Sequence, residues 1–517
     1  MSDTANATAD DRGDASTTTA AGDGERAGDA VAGAPRPPHV DGLPFVGCTL
    51  GFARDALDFG GRILERGDVV SYDAFGEHFV AVADPDAIED VLVSRSDAFR
   101  KGDFETDFGE IIAADGLAFT EGEQWRRQRM ALQGSFTPAK VQGFADDIVD
   151  RANAMADDWA ATDGEIALRD ANSRFALDVL ARTLLDVDLD GDRGDVVATA
   201  ADAISDYASP AAMAVPDWIP LPVDRRYRES MDALDALVDD VVADRRARVE
   251  GAADDTDEGA GGDGDGDDGY GEDLLGTMLR GIDDADADAA GGADAGVRED
   301  ELRDQLVTFL FAGHETTATA LTYAVWLVAG HPEVRERLDG ELDAVLDGDD
   351  PSFADVPRLP YTEAVVEEAL RLYPPVVAVY REPTTPTTVG GYRVDPGDAL
   401  QLSIYQVHRD DRWWDAPTEF RPERFLTADD VADAADERGL DADAAAFGRD
   451  DRPEYAFLPF GGGPRHCIGM RFARLELRLA LATLANRLEF AQVGGFDPTV
   501  KIALDPGDVR IRARDAR

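Results

Sequence analysis

The chain has 517 residues, with 107 Asp+Glu against 50 Lys+Arg and a formal net charge of −57. A hydrophobic share of 44% is enough for a real core and excludes wholesale disorder. The negative charge argues against nucleic acid and anionic membrane surfaces as partners, because phosphate binding needs clustered Lys and Arg. In chain order, residues 1–38 are rich in Ala, Asp, Gly and Thr, close on Pro35-Arg36-Pro37-Pro38, and read as a disordered acidic tail. The tail has no basic n-region and no apolar h-region. No signal peptide or membrane anchor is therefore expected, and a cytoplasmic protein is.

At 69–83 two β-rich runs flank Gly76-Glu77, which predicts a hairpin. Helical periodicity then covers 85–93, 122–133, 142–160, 168–185, 228–249, 299–330, 333–347, 361–372 and 469–487. Short strands return near 388–404 and beyond 488. The low-complexity segment 251–273 reads as a disordered acidic insertion, and a second acidic stretch lies at 428–451. No internal repeat and no dividing linker is present. The expectation is one large domain over 39–517, mainly α with a small β part (α+β).

The run 302–330 is long and apolar enough to suggest a membrane span. His314 and Glu315 sit at its middle, however, and a charge at a bilayer centre costs ~3 kcal/mol or more. A long helix buried inside a large soluble protein fits better, stopped at His331-Pro332. The charge is spread as well. Residues 251–275 hold ten acids and no base, so most of the excess must cover the folded surface. That resembles the salt-adapted proteins of halophiles, and a halophilic archaeal source is expected.

Two cysteines, Cys48 and Cys467, cannot build a disulfide framework or a four-Cys zinc site. Cys467 lies in Phe460-Gly461-Gly462-Gly463-Pro464-Arg465-His466-Cys467-Ile468-Gly469. Glycines let a backbone pass close to a flat group or adopt positive φ. A helix is predicted to start near Gly469, so exposed N–H groups and the helix dipole would favour a thiolate at Cys467. A lone thiolate suits an axial position on a haem iron. A phosphate loop is the other reading of the glycines, but no Lys-Ser/Thr follows. An inert buried cysteine is the third.

The full Phe-x-x-Gly-x-Arg-x-Cys-x-Gly spacing resembles the haem-thiolate loop of the cytochrome P-450 family. Four further features agree. Ala312-Gly313-His314-Glu315-Thr316-Thr317 is similar to the stretch that crosses the distal haem face, which implies catalytic roles in proton delivery for Glu315 and Thr316. The residues alone also allow Thr316 to bond back to the i−4 carbonyl and Glu315 to pair with a buried Arg. Glu368-Ala369-Leu370-Arg371, with Arg424 of Pro422-Glu423-Arg424-Phe425, is similar to the family's structural network. Trp125 and Arg129 share a helix face, and the resemblance sends them, with Arg381 and Arg465, to the haem propionates. Phe460 and Gly469 are implied as further cofactor contacts, and Cys467 as the iron ligand. The fourth feature is that fifty residues follow Cys467, so no flavin or ferredoxin module is expected on this chain.

The resemblance implies a haem b monooxygenase. It would place one atom of O2 into an apolar substrate, with electrons from a separate ferredoxin or flavodoxin-type donor. A monomer is expected. Arg471, Arg474 and Arg478 fall at i, i+3, i+7 and form one basic stripe where such a donor could dock, extended by Arg126 and Arg127. Rival readings are a peroxide-driven peroxygenase or decarboxylase of the same fold, an electron-free isomerase or dehydratase, and a non-catalytic haem sensor or carrier. By the same analogy the substrate would meet parts of 98–119, 203–220, 308–316 and 376–380, including Phe108, Ile111, Ile112, Leu117, Phe309, Val376 and Val377.

Overall fold

The computed structural model describes residues 31–189, 191–215, 218–219, 221–257, 269–287, 296–427 and 452–516. The acidic stretch 428–451 and most of the expected tail lie outside the described residues. So do residues 258–268 of the expected insertion. The ends of that insertion are built into the fold. Residues 251–257 finish a helix, and Tyr270 offers its carbonyl to the buried guanidinium of Arg245 at 2.5 Å. Residues 35–38 are also engaged: Pro35 accepts the Arg393 N–H, and Arg36 bonds Asp398 at 2.9 Å.

The small β part is a six-stranded sheet built from β1 (His39–Val40), β2 (Val69–Ala74), β3 (Glu77–Val82), β4 (Phe99–Arg100), β5 (Val379–Pro383) and β6 (Asp398–Leu402). Its order is β1-β2-β3-β6-β5-β4. The β2–β3 hairpin turns through Phe75 and Gly76, both at positive φ. Side chains alternate across it with period two. Val69, Val80 and Val82 pack on one face, and Val70, Tyr72, Ala74, Phe79 and Ala81 on the other.

Three smaller sheets pair Leu488–Val493 and Ile166–Ala167 with Arg510–Asp515, Thr499–Val500 with Leu504–Asp505, and Thr387–Val389 with Tyr392–Val394; the remaining regular structure is helical. The longer helices are α1 (Asp103–Ile112), α2 (Gly122–Leu132), α3 (Ala145–Ala161), α4 (Leu168–Leu184), α5 (Asp192–Tyr207), α6 (Pro222–Asp257), α7 (Leu274–Ala287), α8 (Glu299–Gly330), α9 (Pro332–Leu346), α10 (Pro360–Leu372) and α11 (Met470–Arg487). The long apolar helix α8 is buried along most of its length, which explains its unbroken apolar sequence. Acids at Glu299, Asp300 and Glu301 complement its dipole at the start. No described helix is long and apolar enough to cross a membrane.

Helix α4 lies against α8 at close range. A Cβ on Gly313 would fall 2.1 Å from Leu180 Cδ1, so a larger residue there would force the Leu180 side chain to move. Asn172 on α4 donates to Thr322 on α8 at 3.0 Å inside the contact. Helices α3, α10 and α11 complete the same core, and the cysteine loop feeds directly into α11.

Candidate active site

Helix α11 starts at Met470, with Gly469 at its N-cap and Cys467 two residues earlier. The loop before it is fixed by its backbone. Cys467 N–H donates to the Phe460 carbonyl at 3.0 Å. Gly463 sits at φ +64, where an added Cβ would fall 1.9 Å from the Leu92 carbonyl oxygen. Both the dihedral and the close approach require glycine there.

Cys467 is exposed to a cavity of about 280 Å³. The same cavity is lined by Trp125 and Arg129 of α2, by Thr308, Phe309, Ala312, Gly313, Thr316 and Thr317 of α8, and by Arg381, Arg465 and Gly469. Four widely separated segments, the cysteine loop among them, thus meet around one cavity. Desolvation by the surrounding protein pushes the Cys467 thiol up, against the opposing pull of the Gly469 N–H and the Arg129 guanidinium. Metal coordination is what would deprotonate such a sulfur outright.

One rim of the cavity is cationic. Arg129 donates to the His466 carbonyl at 3.1 Å, which ties α2 to the cysteine loop. Arg465 stacks 4.4 Å from the centre of the Trp125 ring and bonds the Thr120 carbonyl and Glu121, both at 2.9 Å. Arg381 lies 3.6 Å from Glu105. Lys101 completes the group and was not anticipated from the sequence. It lines the cavity and pairs with Glu105 at 3.2 Å. Burial pulls its ammonium below the ordinary value, partly offset by Glu105. That Lys101 is one of only three lysines in the chain was the signal that could have singled it out.

Four cations, Lys101, Arg129, Arg381 and Arg465, line this rim. A group carrying two carboxylates fits that arrangement, since guanidinium forks match carboxylates. Below the rim the lining is apolar, with Leu117, Phe136, Leu180, Leu184, Phe309 and Phe472. One sulfur, an apolar slot and a cationic rim are the donor set of a thiolate-ligated haem.

A sequence profile for cytochrome P-450 matches residues 35–502. The chain belongs to the cytochrome P-450 family. Cyclooctatin synthase of Streptomyces melanosporofaciens is 30% identical over 91% of this chain and 94% of its own length. Cyclooctat-9-en-7-ol 5-monooxygenase of the same organism is 30% identical over 88% of this chain and 89% of its own. The protein LUTEIN DEFICIENT 5 of Arabidopsis thaliana is 28% identical over 82% and 67%. A solved structure, retinoic acid bound cyanobacterial CYP120A1, superposes with a TM-score of 0.73 at 23% identity, over 93% of this chain and all of that one. The protein is therefore a cytochrome P-450 oxidoreductase that incorporates oxygen, and its cofactor is cysteine-ligated haem.

Several assigned residues sit elsewhere than expected. Glu315 does not line the cavity. Its carboxylate turns into the α4–α8 contact and lies 3.3 Å from Arg169, which also holds Asp202 at 2.8 Å and Asp505 at 3.8 Å. Thr316 faces the cavity, with its hydroxyl donated to the Ala312 carbonyl at 2.8 Å. Phe460 is not in the cavity lining either. Its carbonyl holds Cys467 and its ring lies 5.2 Å below the Arg474 guanidinium. Of the residues expected near substrate, Leu117 and Phe309 line the cavity; Phe108, Ile111, Ile112, Val376 and Val377 are not among its walls.

The basic stripe is largely consumed internally. Arg474 pairs with Glu367 at 3.0 Å and Arg478 with Glu363, both on α10. Arg127 is turned inward and bonds Glu301 at 2.9 Å. Arg471 and Arg126 remain exposed.

Glu368, Arg371 and Arg424 come together in a separate, fully buried network. Arg371 binds Glu368 through two bonds of 2.7 Å, and Arg424 joins the same carboxylate at 3.0 Å. The remaining Arg371 donors reach the carbonyls of His408 and Pro417 at 2.7 Å each and that of Glu419 at 3.2 Å.

Proposed function

We propose that this cytochrome P-450 places one oxygen atom into an apolar organic substrate, with electrons from a separate ferredoxin or flavodoxin-type protein. The observation that supports this is that the Cys467 sulfur and the Thr316 hydroxyl share one cavity with otherwise apolar walls. The name of one relative refers to the alcohol cyclooctat-9-en-7-ol. A largely hydrocarbon substrate agrees with both.

Cys467 would hold the haem iron, while Lys101, Arg129, Arg381 and Arg465 would hold its two propionates. Bound there, haem would supply the oxygen chemistry: with two electrons from the donor protein and two protons, one oxygen of O2 leaves as water and the other enters the substrate, which is oxidised by two electrons. Thr316 keeps a hydroxyl at the cavity wall that can accept from a water and pass a proton inward. Glu315 serves behind it. Its carboxylate is paired with Arg169, which also holds Asp202; on rotating away from Arg169 it would take up a proton from water and pass it toward Thr316. Leu117, Leu180, Leu184 and Phe309 exclude bulk water and bury the substrate. The single domain would span 39–517 and act in the cytoplasm as a monomer. The net charge of −57 supports a surface adapted to high salt.

The test is the absorption spectrum of purified protein, reduced and exposed to carbon monoxide, followed by turnover. A Soret band at the long wavelength typical of thiolate ligation is expected, and it should shift in Cys467→His. Product should need the donor protein and O2. Product with peroxide alone, at the same rate, would replace this reading with a peroxygenase. A folded protein that takes up no haem would remove it.

A further inference from the structure

The chain has only six histidines among its 517 residues, and two of them lie together on the surface with one carboxylate. These are His39 on β1, His78 on β3 and Asp73 on β2. The strand register places them. His39 pairs with Ser71 in the parallel β1–β2 ladder, and Asp73 pairs with His78 in the antiparallel β2–β3 ladder. Ser71 and Asp73 are two residues apart on one strand, so all four side chains share one face of the sheet. Along that face the buried Val69, Val80 and Val82 give way to this polar end.

We propose that His39, Asp73 and His78 form a binding site for a borderline divalent metal ion, with zinc as the natural fit. The donor set is two imidazoles and one carboxylate. Imidazole donors suit zinc and its neighbours in the transition series, whereas magnesium and calcium prefer oxygen ligands alone. Two atoms that each lie about 2.0–2.2 Å from a zinc are at most about 4.4 Å apart. His39 Nε2 lies 3.8 Å from one Asp73 oxygen, and His78 Nδ1 lies 2.6 Å from the other. Small rotations of exposed side chains suffice to close the site around an ion.

Two further features orient the ligands. His39 Nδ1 is 3.1 Å from the Ser71 hydroxyl. In the tautomer that donates from Nδ1 to that oxygen, Nε2 is bare toward Asp73, the outer arrangement that ligating histidines use. The two rings are also stacked, with centroids 5.8 Å apart and planes 14° from parallel. Three protein ligands leave a fourth position for water.

The site would act as a clip. Strand β1 has two residues and borders the sheet on one side only. An ion shared by β1, β2 and β3 would pin the N-terminal segment to the hairpin. A bound ion stabilises the folded chain in proportion to its occupancy. The clip is independent of the haem chemistry.

The test uses the haem-loaded protein after dialysis against a chelator, with zinc chloride added in calorimetry and in thermal melts. Excess magnesium is present throughout to occupy the many surface carboxylates. One zinc should bind per chain and raise the melting temperature. His39→Gln and His78→Gln should each weaken that binding by tenfold or more and abolish the zinc-dependent rise. Their carbon monoxide spectra should match the parent, which verifies the fold and haem. Unchanged zinc binding in both variants, or zinc displaced by magnesium in the parent, would overturn the proposal.

Discussion

The backbone N–H of Leu458 donates to His408 Nε2 at 3.0 Å and so ties the approach to the cysteine loop to helix α10. The ring can accept there only with its proton on Nδ1, which donates to the Arg371 carbonyl at 3.2 Å. Burial, then the charges of Arg371 and Arg409, lower the His408 pKa from an ordinary 6.5 to about 3.

Stability should follow. Between about pH 3 and 6.5 the unfolded chain binds a proton at this position that the folded chain refuses. The contribution is full above the upper value and is lost as pH falls through the window, by ~1.4 kcal/mol per unit. Going from pH 7 to 5, the parent should lose about 2 kcal/mol more than His408→Gln in denaturant melts. Equal losses would show that His408 is not the titrating group.

The buried carboxylate of Glu368 is shared by two guanidinium groups, and both it and Arg371 are fully inaccessible to solvent. Removing one member leaves buried charge without compensation, at a cost of about 3–5 kcal/mol. Glu368→Gln should destabilise the chain by that order and release haem during gel filtration. An exposed pair offers the contrast. Glu489→Gln, which loses Arg514, should cost at most about 1 kcal/mol. Similar losses in the two variants would contradict the special role of the buried network.

What the sequence revealed and concealed has a physical pattern. The cysteine loop was legible because its demands are local: Gly463 must take positive φ, and Cys467 must precede a helix. The direction of Glu315 was not. Periodicity gives the spacing of a helix face, but Arg169 lies 146 residues away and packing decides which face meets it. Lys101 was hidden because a cation before a helix carries no pattern of its own. Helix α5 escaped because its buried face is mostly small, with Ala200, Ala201 and Ala203, and so carries a weak apolar signal. Helix α1 escaped because its apolar positions are interrupted by acids and Gly109, which packs against Phe119.

Thr316 and Glu315 are separable by experiment. Proton transfer by a positioned side chain contributes typically about 10²–10⁴-fold. Thr316→Ala should keep haem and lose coupling, so that peroxide accumulates in place of product. Glu315→Gln should slow turnover with less peroxide, because it removes a relay and leaves the cavity hydroxyl in place. It should also unbalance Arg169, whose charge Glu315, Asp202 and Asp505 now share. Coupling unaffected by Thr316→Ala would show that the hydroxyl bonds only to Ala312.

Donor docking now rests on fewer cations than the spacing suggested. Arg474 and Arg478 are spent on α10, and Arg474 also covers Phe460 behind the cysteine loop. Arg471 is exposed one turn before them. A surface charge that steers a partner acts on the association rate and is screened by salt. Arg471→Glu should therefore slow reduction by an acidic ferredoxin at low salt, by up to about tenfold, and the difference should fade as salt rises. Its haem content and melting temperature should not change. Arg474→Glu should behave differently, since it places a carboxylate beside Glu367 and strips the cover from Phe460. Stability should fall at every salt concentration. If Arg471→Glu reduces at the parental rate across the salt range, the donor does not dock on this face of α11.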